Sequence, residues 1–182
     1  NIYDPKGYLR EITDRKHEAS FWTLSGTDAF GHTTNEIFGN GIRTTQSFEA
    51  ETGRIKNIAA SQSDGTRVLD LDLKYDLVGS LELRHEKVVG NKEWFKYDAL
   101  DRLTQWSRNN GDVFNYGFDA AGRLISKSDA GTYEYGSAPH HAASKIKRGK
   151  QTSSFKYDDN ANLISGPTGS FEYTSDNRMK LL

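Results

Sequence analysis

The chain has 182 residues, of which 35% are apolar and 12% aromatic, and its formal net charge is −1. Charges of both signs are interspersed, so there is no broad basic surface for nucleic acid or anionic lipid, and no apolar run is long enough to form a transmembrane segment. Cysteine is absent, which excludes a disulfide scaffold, cysteine-ligated zinc and thiol catalysis.

The first element is the phrase Tyr3-Asp4-Pro5-Lys6-Gly7-Tyr8-Leu9: a ring, an aspartate, two variable residues, a glycine, one more residue and a leucine. Looser copies begin at Thr27 and Phe48. Between them, Gly39-Asn40-Gly41 reads as a hairpin turn and not as a phosphate loop, because no helical pattern follows it. Leu69, Leu71, Leu73 and Tyr75 then alternate with Asp70, Asp72 and Lys74, and this period of two predicts a half-buried strand. That strand enters a second clear phrase, Tyr75-Asp76 through Leu81. A looser copy runs from Tyr97 to Leu103, flanked by Trp94 and Trp106. Phe114, Tyr116 and Phe118 alternate into the third clear phrase, Phe118-Asp119 through Leu124. Looser copies begin at Tyr135, Tyr157 and Tyr173. Successive starts differ by 24, 21, 27, 22, 21, 17, 22 and 16 residues, a spacing that marks a repeat architecture.

The phrase dictates its own turn. If Asp98 pairs across from Arg102, Ala99-Leu100-Asp101 is a loop of three residues, commonly a type I turn closed by a residue in the left-handed region. That last position is Gly7, Gly53, Gly79 and Gly122 in other copies, because glycine has no Cβ to clash at positive φ. Asp101 and Asn177 are the next most tolerant choices; Ala161 fits poorly and marks a strained or altered turn. Aspartate at the first position accepts backbone N–H bonds. In this register Tyr97 faces Leu103 on the buried side, while Asp98–Arg102 and Asp119–Arg123 pair on the opposite face. A second turn lies between phrases, at Gly41, Gly65, Gly90, Gly111, Gly131, Gly149 and Gly169. The predicted fold is all-β, an antiparallel meander of stacked hairpins with almost no helix.

In these phrases the sequence resembles the Rhs, or YD-repeat, family. The strongest matches are Tyr97–Leu103, Phe118–Leu124 and the stretch Phe155–Met179, and Ala138-Pro139-His140-His141-Ala142 resembles a recurring bacterial Rhs element. The resemblance implies a β-sheet spiral forming part of a hollow shell in a large secreted or bacterial cell-surface protein. In bacterial members such a shell encloses a toxic C-terminal domain. The partners it implies are the rest of the parent shell and that toxin domain. The family's Asp-Pro-rich self-cleaving signature does not occur in this sequence, so no autoproteolytic residue is carried over. The chain starts in the strand of one repeat and stops just after another begins. Residues 1–182 are therefore expected to be a single array segment, an excerpt of a longer protein.

Candidate chemistry is sparse. A glycosidase-like carboxylate pair needs two carboxyls across one sugar bond, whereas Asp4, Asp76, Asp98, Asp119 and Asp158 hold equivalent turn positions. His17, His32, His85, His140 and His141 show no metal-ligand spacing, and no Gly-x-Ser-x-Gly elbow appears. The expectation is a non-enzymatic structural segment with no catalytic, metal or cofactor residues. The alternative is an extracellular module binding a glycan or receptor. Its candidate surface is Trp94 and Trp106, which this register places opposite each other on the face away from Tyr97 and Leu103. Ile125 and Ile164, on that same face, favour covering by packing instead.

Overall fold

The computed structural model describes residues 1–14, 16, 19–136, 139 and 141–180; His17, His140, Ala138 and Leu182 lie outside the described residues. Every regular element among them is a strand. In order these are β1 (Ile2–Tyr3), β2 (Leu9–Asp14), β3 (Ala19–Thr27), β4 (Thr33–Phe38), β5 (Arg43–Phe48), β6 (Ile55–Ser61), β7 (Arg67–Tyr75), β8 (Leu81–Glu86), β9 (Asn91–Tyr97), β10 (Leu103–Arg108), β11 (Val113–Phe118), β12 (Leu124–Lys127), β13 (Gly131–Glu134), β14 (Lys145–Arg148), β15 (Gln151–Ser154), β16 (Lys156–Tyr157), β17 (Leu163–Gly166) and β18 (Gly169–Ser170). Strand order in the main sheet is chain order from β1 to β15, an antiparallel meander, while β16, β17 and β18 form a sheet of three. Contacts divide the chain into two compact units, residues 1–95 with 107–111, and residues 96–106 with 112–182.

The predicted turn is the observed one. Asp98 N–H donates to Arg102 O at 3.0 Å and Asp101 N–H to Asp98 O at 3.0 Å, with φ 57° at Asp101. The same pair of bonds closes the turns at Asp4, Asp28, Asp76, Asp119, Asp158 and Thr174. At Phe48 the loop is one residue longer: Glu49 N–H reaches Arg54 O, and Gly53 N–H returns to Glu49 O. The copy at Tyr135 runs into residues outside the described ones. The chain there leaves β13 after Glu134 and returns at Ser144, whose N–H donates to Glu134 O at 2.8 Å. Each Gly of the second turn series also has positive φ, from 57° at Gly149 to 140° at Gly169.

One feature of the pairing breaks simple alternation. Tyr75 pairs with Leu81, but Lys74 pairs with Leu83 and Leu73 with Arg84. A residue is therefore bulged just after the phrase, and the strand leaves the turn with its faces exchanged. The same slip follows Tyr3, Thr27, Phe48, Phe118 and Tyr157. The ring-bearing face thus continues through the third residue after the phrase leucine, and not through the second.

Burial is thin in both units. Among the described residues the only apolar ones almost fully buried are Ala59 and Ala60, and no large side chain is fully buried. In the first unit, Ile58 opposite Leu71 and Ala60 opposite Leu69 continue the face of Leu73 and Tyr75. On the other face, Asn57 Nδ2 donates to Asp70 and Asp72, and Lys87 Nζ bridges the same two carboxylates. In the second unit the ring face carries Phe118 opposite Leu124, and Tyr116 under the Lys127 ammonium, 6.0 Å from the ring centroid.

Candidate functional site: the seams between hairpins

The recurring arrangement of functional side chains is the seam where one phrase meets the next. Its first component is the turn aspartate. Asp98 Oδ1 accepts N–H bonds from Leu100 and Arg102, while Oδ2 accepts Arg102 Nε at 2.8 Å. Asp119 does the same with Ala121 and Arg123, its Oδ2 taking Arg123 Nε at 2.7 Å. Asp158 uses Asn160 and Asn162, with the Asn162 amide in place of a guanidinium. Bonds to the ionised form hold these carboxyls below their ordinary value. The Arg102 guanidinium is the leading cause at Asp98, the Arg123 N–H at Asp119, and the Asn162 amide at Asp158.

The second component is what that guanidinium does next. Arg102 lies over the Phe118 ring, 4.9 Å from its centroid, and donates to Asp119 O at 3.1 Å. Arg123 lies over Tyr135 at 4.8 Å. Arg54, in the longer turn, lies over Tyr75 at 5.9 Å, and a Cβ on Gly79 would come within 2.8 Å of its Cζ. In the second repeat His32 takes the arginine's place: its Nδ1 is 2.8 Å from Asp28 Oδ2, and its ring stacks on Phe48 at 4.5 Å. One side chain therefore ties its own turn to the ring of the following phrase. Cation–π contacts of this kind stabilise by about 0.5–1 kcal/mol where exposed and more where water is excluded. Burial raises the hydroxyl pKa of Tyr75, Tyr135 and Tyr157.

These forward links escaped the sequence reading. Arg102 and Phe118, Arg54 and Tyr75, and Arg123 and Tyr135 are separated by unequal lengths of chain, so no fixed spacing advertises them. The local half of the seam was legible at Asp98 with Arg102 and at Asp119 with Arg123.

The two tryptophans have different surroundings. Trp94, in the first unit, pairs directly with Leu83 on the face opposite Phe95 and is 38% exposed. Trp106, in the second unit, stacks on Phe114 with centroids 4.7 Å apart and planes 20° from parallel. Phe114 shares its face with Tyr116 and Phe118, so Trp106 belongs to the ring-bearing face. The expected placement of Trp106 on the face away from Tyr97 and Leu103 is corrected by this stacking: third after Leu103, it stands where Arg84 stands after Leu81 and Lys127 after Leu124, two hairpins in which a residue is bulged after the leucine. Ile125 and Ile164, next after Leu124 and Leu163, occupy the slip positions themselves. Among the described residues no group of three or more His, Asp and Glu is placed to hold a metal ion.

Hairpins in tandem, closed by a ring–Asp turn and linked seam to seam, define a β-repeat array. Residues 97–136 match the family model RHS Repeat. That stretch, residues 97–136, is similar to the RHS-repeat, or YD-repeat, family. No curated protein matches it in sequence. Among solved structures, the Photorhabdus luminescens Tc holotoxin pore is similar at 15% identity and TM-score 0.43, over 98% of this chain and 13% of that one. TcdB2-TccC3-Cdc42 is similar at 20% identity and TM-score 0.43, over 98% and 9% respectively. TcdB2-TccC3-TEV gives 16% identity and TM-score 0.41, over 97% and 12%. The chain thus spans 9–13% of the length of these structures.

Proposed function

We propose that this chain is a non-enzymatic wall segment, residues 1–182 forming one stretch of a larger bacterial RHS-repeat shell that encloses a toxin domain for secretion and delivery. The observation that carries the reading is the use of the recurring polar groups. The turn aspartates at Asp4, Asp98, Asp119 and Asp158 are each committed to closing a hairpin, and the arginines at the seams to gripping the next ring. Such groups build a continuous hydrogen-bonded surface. Among the described residues the ring-bearing face has no fully buried large side chain, as suits a wall whose apolar side is completed by what it surrounds. Containment then keeps the cargo away from the producing cell. Expressing the parent protein with and without these residues tests this: deletion should expose the producer to its own toxin, and undiminished protection would overturn the proposal.

A second reading, an extracellular surface for a glycan or receptor, is favoured by Trp94, whose indole stays partly exposed beside Leu83. Trp106 would contribute to it only by leaving Phe114. A glycan array followed by Trp94→Ala decides it: saturable binding lost in the variant supports the surface, and no saturable binding removes it.

A further inference from the structure

The first seam departs from the others in two positions at once, and the departure leaves a cavity. Four later seams place a ring after the turn and a flat polar side chain against it: His32 with Phe48, Arg54 with Tyr75, Arg102 with Phe118 and Arg123 with Tyr135. In the first seam, Tyr8 holds the position of the arginine and Thr27 holds that of the next ring. The Thr27–Thr33 pairing repeats that of Phe118 with Leu124, so Thr27 occupies the ring slot by register and not merely by alignment. The result is a cavity of about 610 Å³ whose lining includes Asp4, Tyr8, Arg10, Trp22, Thr27 and Phe30. Its size falls within the ordinary range for small-ligand sites.

The cation that a ring would meet is already in position. Arg10 donates to Asp4 Oδ2 through Nε at 3.1 Å and Nη2 at 3.0 Å, a tether like that of Arg102 on Asp98. Among the described residues the Arg10 guanidinium makes no cation–π contact with a ring, although it lines the cavity with Thr27. Trp22, held by its indole N–H to Glu36 Oε2 at 2.7 Å, supplies a fixed aromatic wall. Tyr8 and Phe30, 66% and 77% exposed, flank the opening. Asp4 is paired with Arg10, and Asp28 accepts the Phe30 and His32 N–H groups and lies 2.8 Å from His32 Nδ1, so the carboxylates at the rim are already engaged.

We propose that the cavity between the first and second repeats is a binding site for an aromatic ring of the phenyl or phenol kind, taken from a ligand and seated where later seams use their own Phe or Tyr. The Arg10 guanidinium contacts the ring face and Trp22 packs against it. This inference is independent of the wall reading. It needs only the repeat geometry.

The test titrates the intact chain with 4-methylphenol, read by calorimetry and ligand-observed saturation-transfer NMR, with cyclohexanol as the non-aromatic control. Saturable binding of 4-methylphenol that cyclohexanol does not match is expected. Thr27→Phe, which supplies the ring from within, should weaken it by about tenfold or more, while Thr27→Ser should bind like the parent. No saturable binding, equal binding of cyclohexanol, or undiminished binding by a folded Thr27→Phe chain would each overturn the site. Should circular dichroism show that Thr27→Phe does not fold, Arg10→Met takes its place: weaker ring binding is expected, and unchanged binding counts against the proposal. N-acetyltyrosinamide binding at least as tightly as 4-methylphenol assigns the ring to a peptide, and weaker binding assigns it to a free aryl compound.

Discussion

Ala161 holds φ at 67° in the slot that Gly7, Gly79 and Gly122 fill in other phrases. Left-handed backbone brings a Cβ against the neighbouring carbonyl and costs about 1–2 kcal/mol, less for Asp or Asn, whose short polar side chains tolerate it. Asp101 at 57° and Asn177 at 59° are such residues. Ala161→Gly relieves the strain, offset in part by the extra freedom glycine has when unfolded. The expected net gain is about 1 kcal/mol, a rise of roughly 2–4 °C in thermal midpoint. Asp101→Gly also gives up the tolerated aspartate, so it should gain less. Thermal unfolding followed by circular dichroism checks both, and a midpoint that falls in Ala161→Gly would mean the alanine methyl is needed for packing. The strain was readable from the sequence alone, because the phrase fixes which residue must adopt positive φ.

At the level of the hairpin, the sequence carried strand identity, turn type and the Asp–Arg pairing, since each depends on residues within one phrase. Alternation of Leu69, Leu71, Leu73 and Tyr75 is likewise a local signal, and the register of β7 against β6 places them on one face. What it did not carry was the phase of the strand leaving the turn. A bulge inserts one residue without any compositional mark: the slip position is Glu82 after Leu81 and Ile125 after Leu124, a charge in one and a branched apolar residue in the other. Counting through it in twos reverses every later side chain in that strand. Counted in twos from Leu103, Trp106 falls on the face away from that leucine, whereas its stacking on Phe114 puts it on the ring-bearing side. The forward links were hidden for a related reason. The arginine is fixed by its own turn, but the ring it grips depends on the length of the intervening hairpin, which is set by the second turn and differs from repeat to repeat.

Across the whole molecule, stability cannot come mainly from a deep core, since Ala59 and Ala60 are the only nearly buried apolar residues among those described. It is spread over seams, as expected where each repeat contacts chiefly its neighbours, and the seam aspartates give it a pH dependence. Asp98, Asp119 and Asp158 have folded pKa values below the ordinary 3.8, because side-chain and backbone N–H groups bond the ionised form. Asp4 behaves likewise, led by the Tyr8 N–H. A group whose folded pKa is depressed contributes stability above its unfolded value and loses it as pH falls through the folded one. The array should therefore keep its full seam contribution at neutral pH and lose it progressively below 3.8, in several seams together. Unfolding midpoints compared at about pH 7 and about pH 3 test this. The double variant Asp98→Asn with Asp119→Asn keeps a side-chain oxygen for the turn N–H groups but gives up the charge that holds Arg102 and Arg123. Its midpoint should be lower than the parent's at neutral pH, and the further drop on acidification should be smaller. An acid-induced drop as large in the variant as in the parent would show that groups other than these turn aspartates govern the response, and that the seams are held by their rings alone.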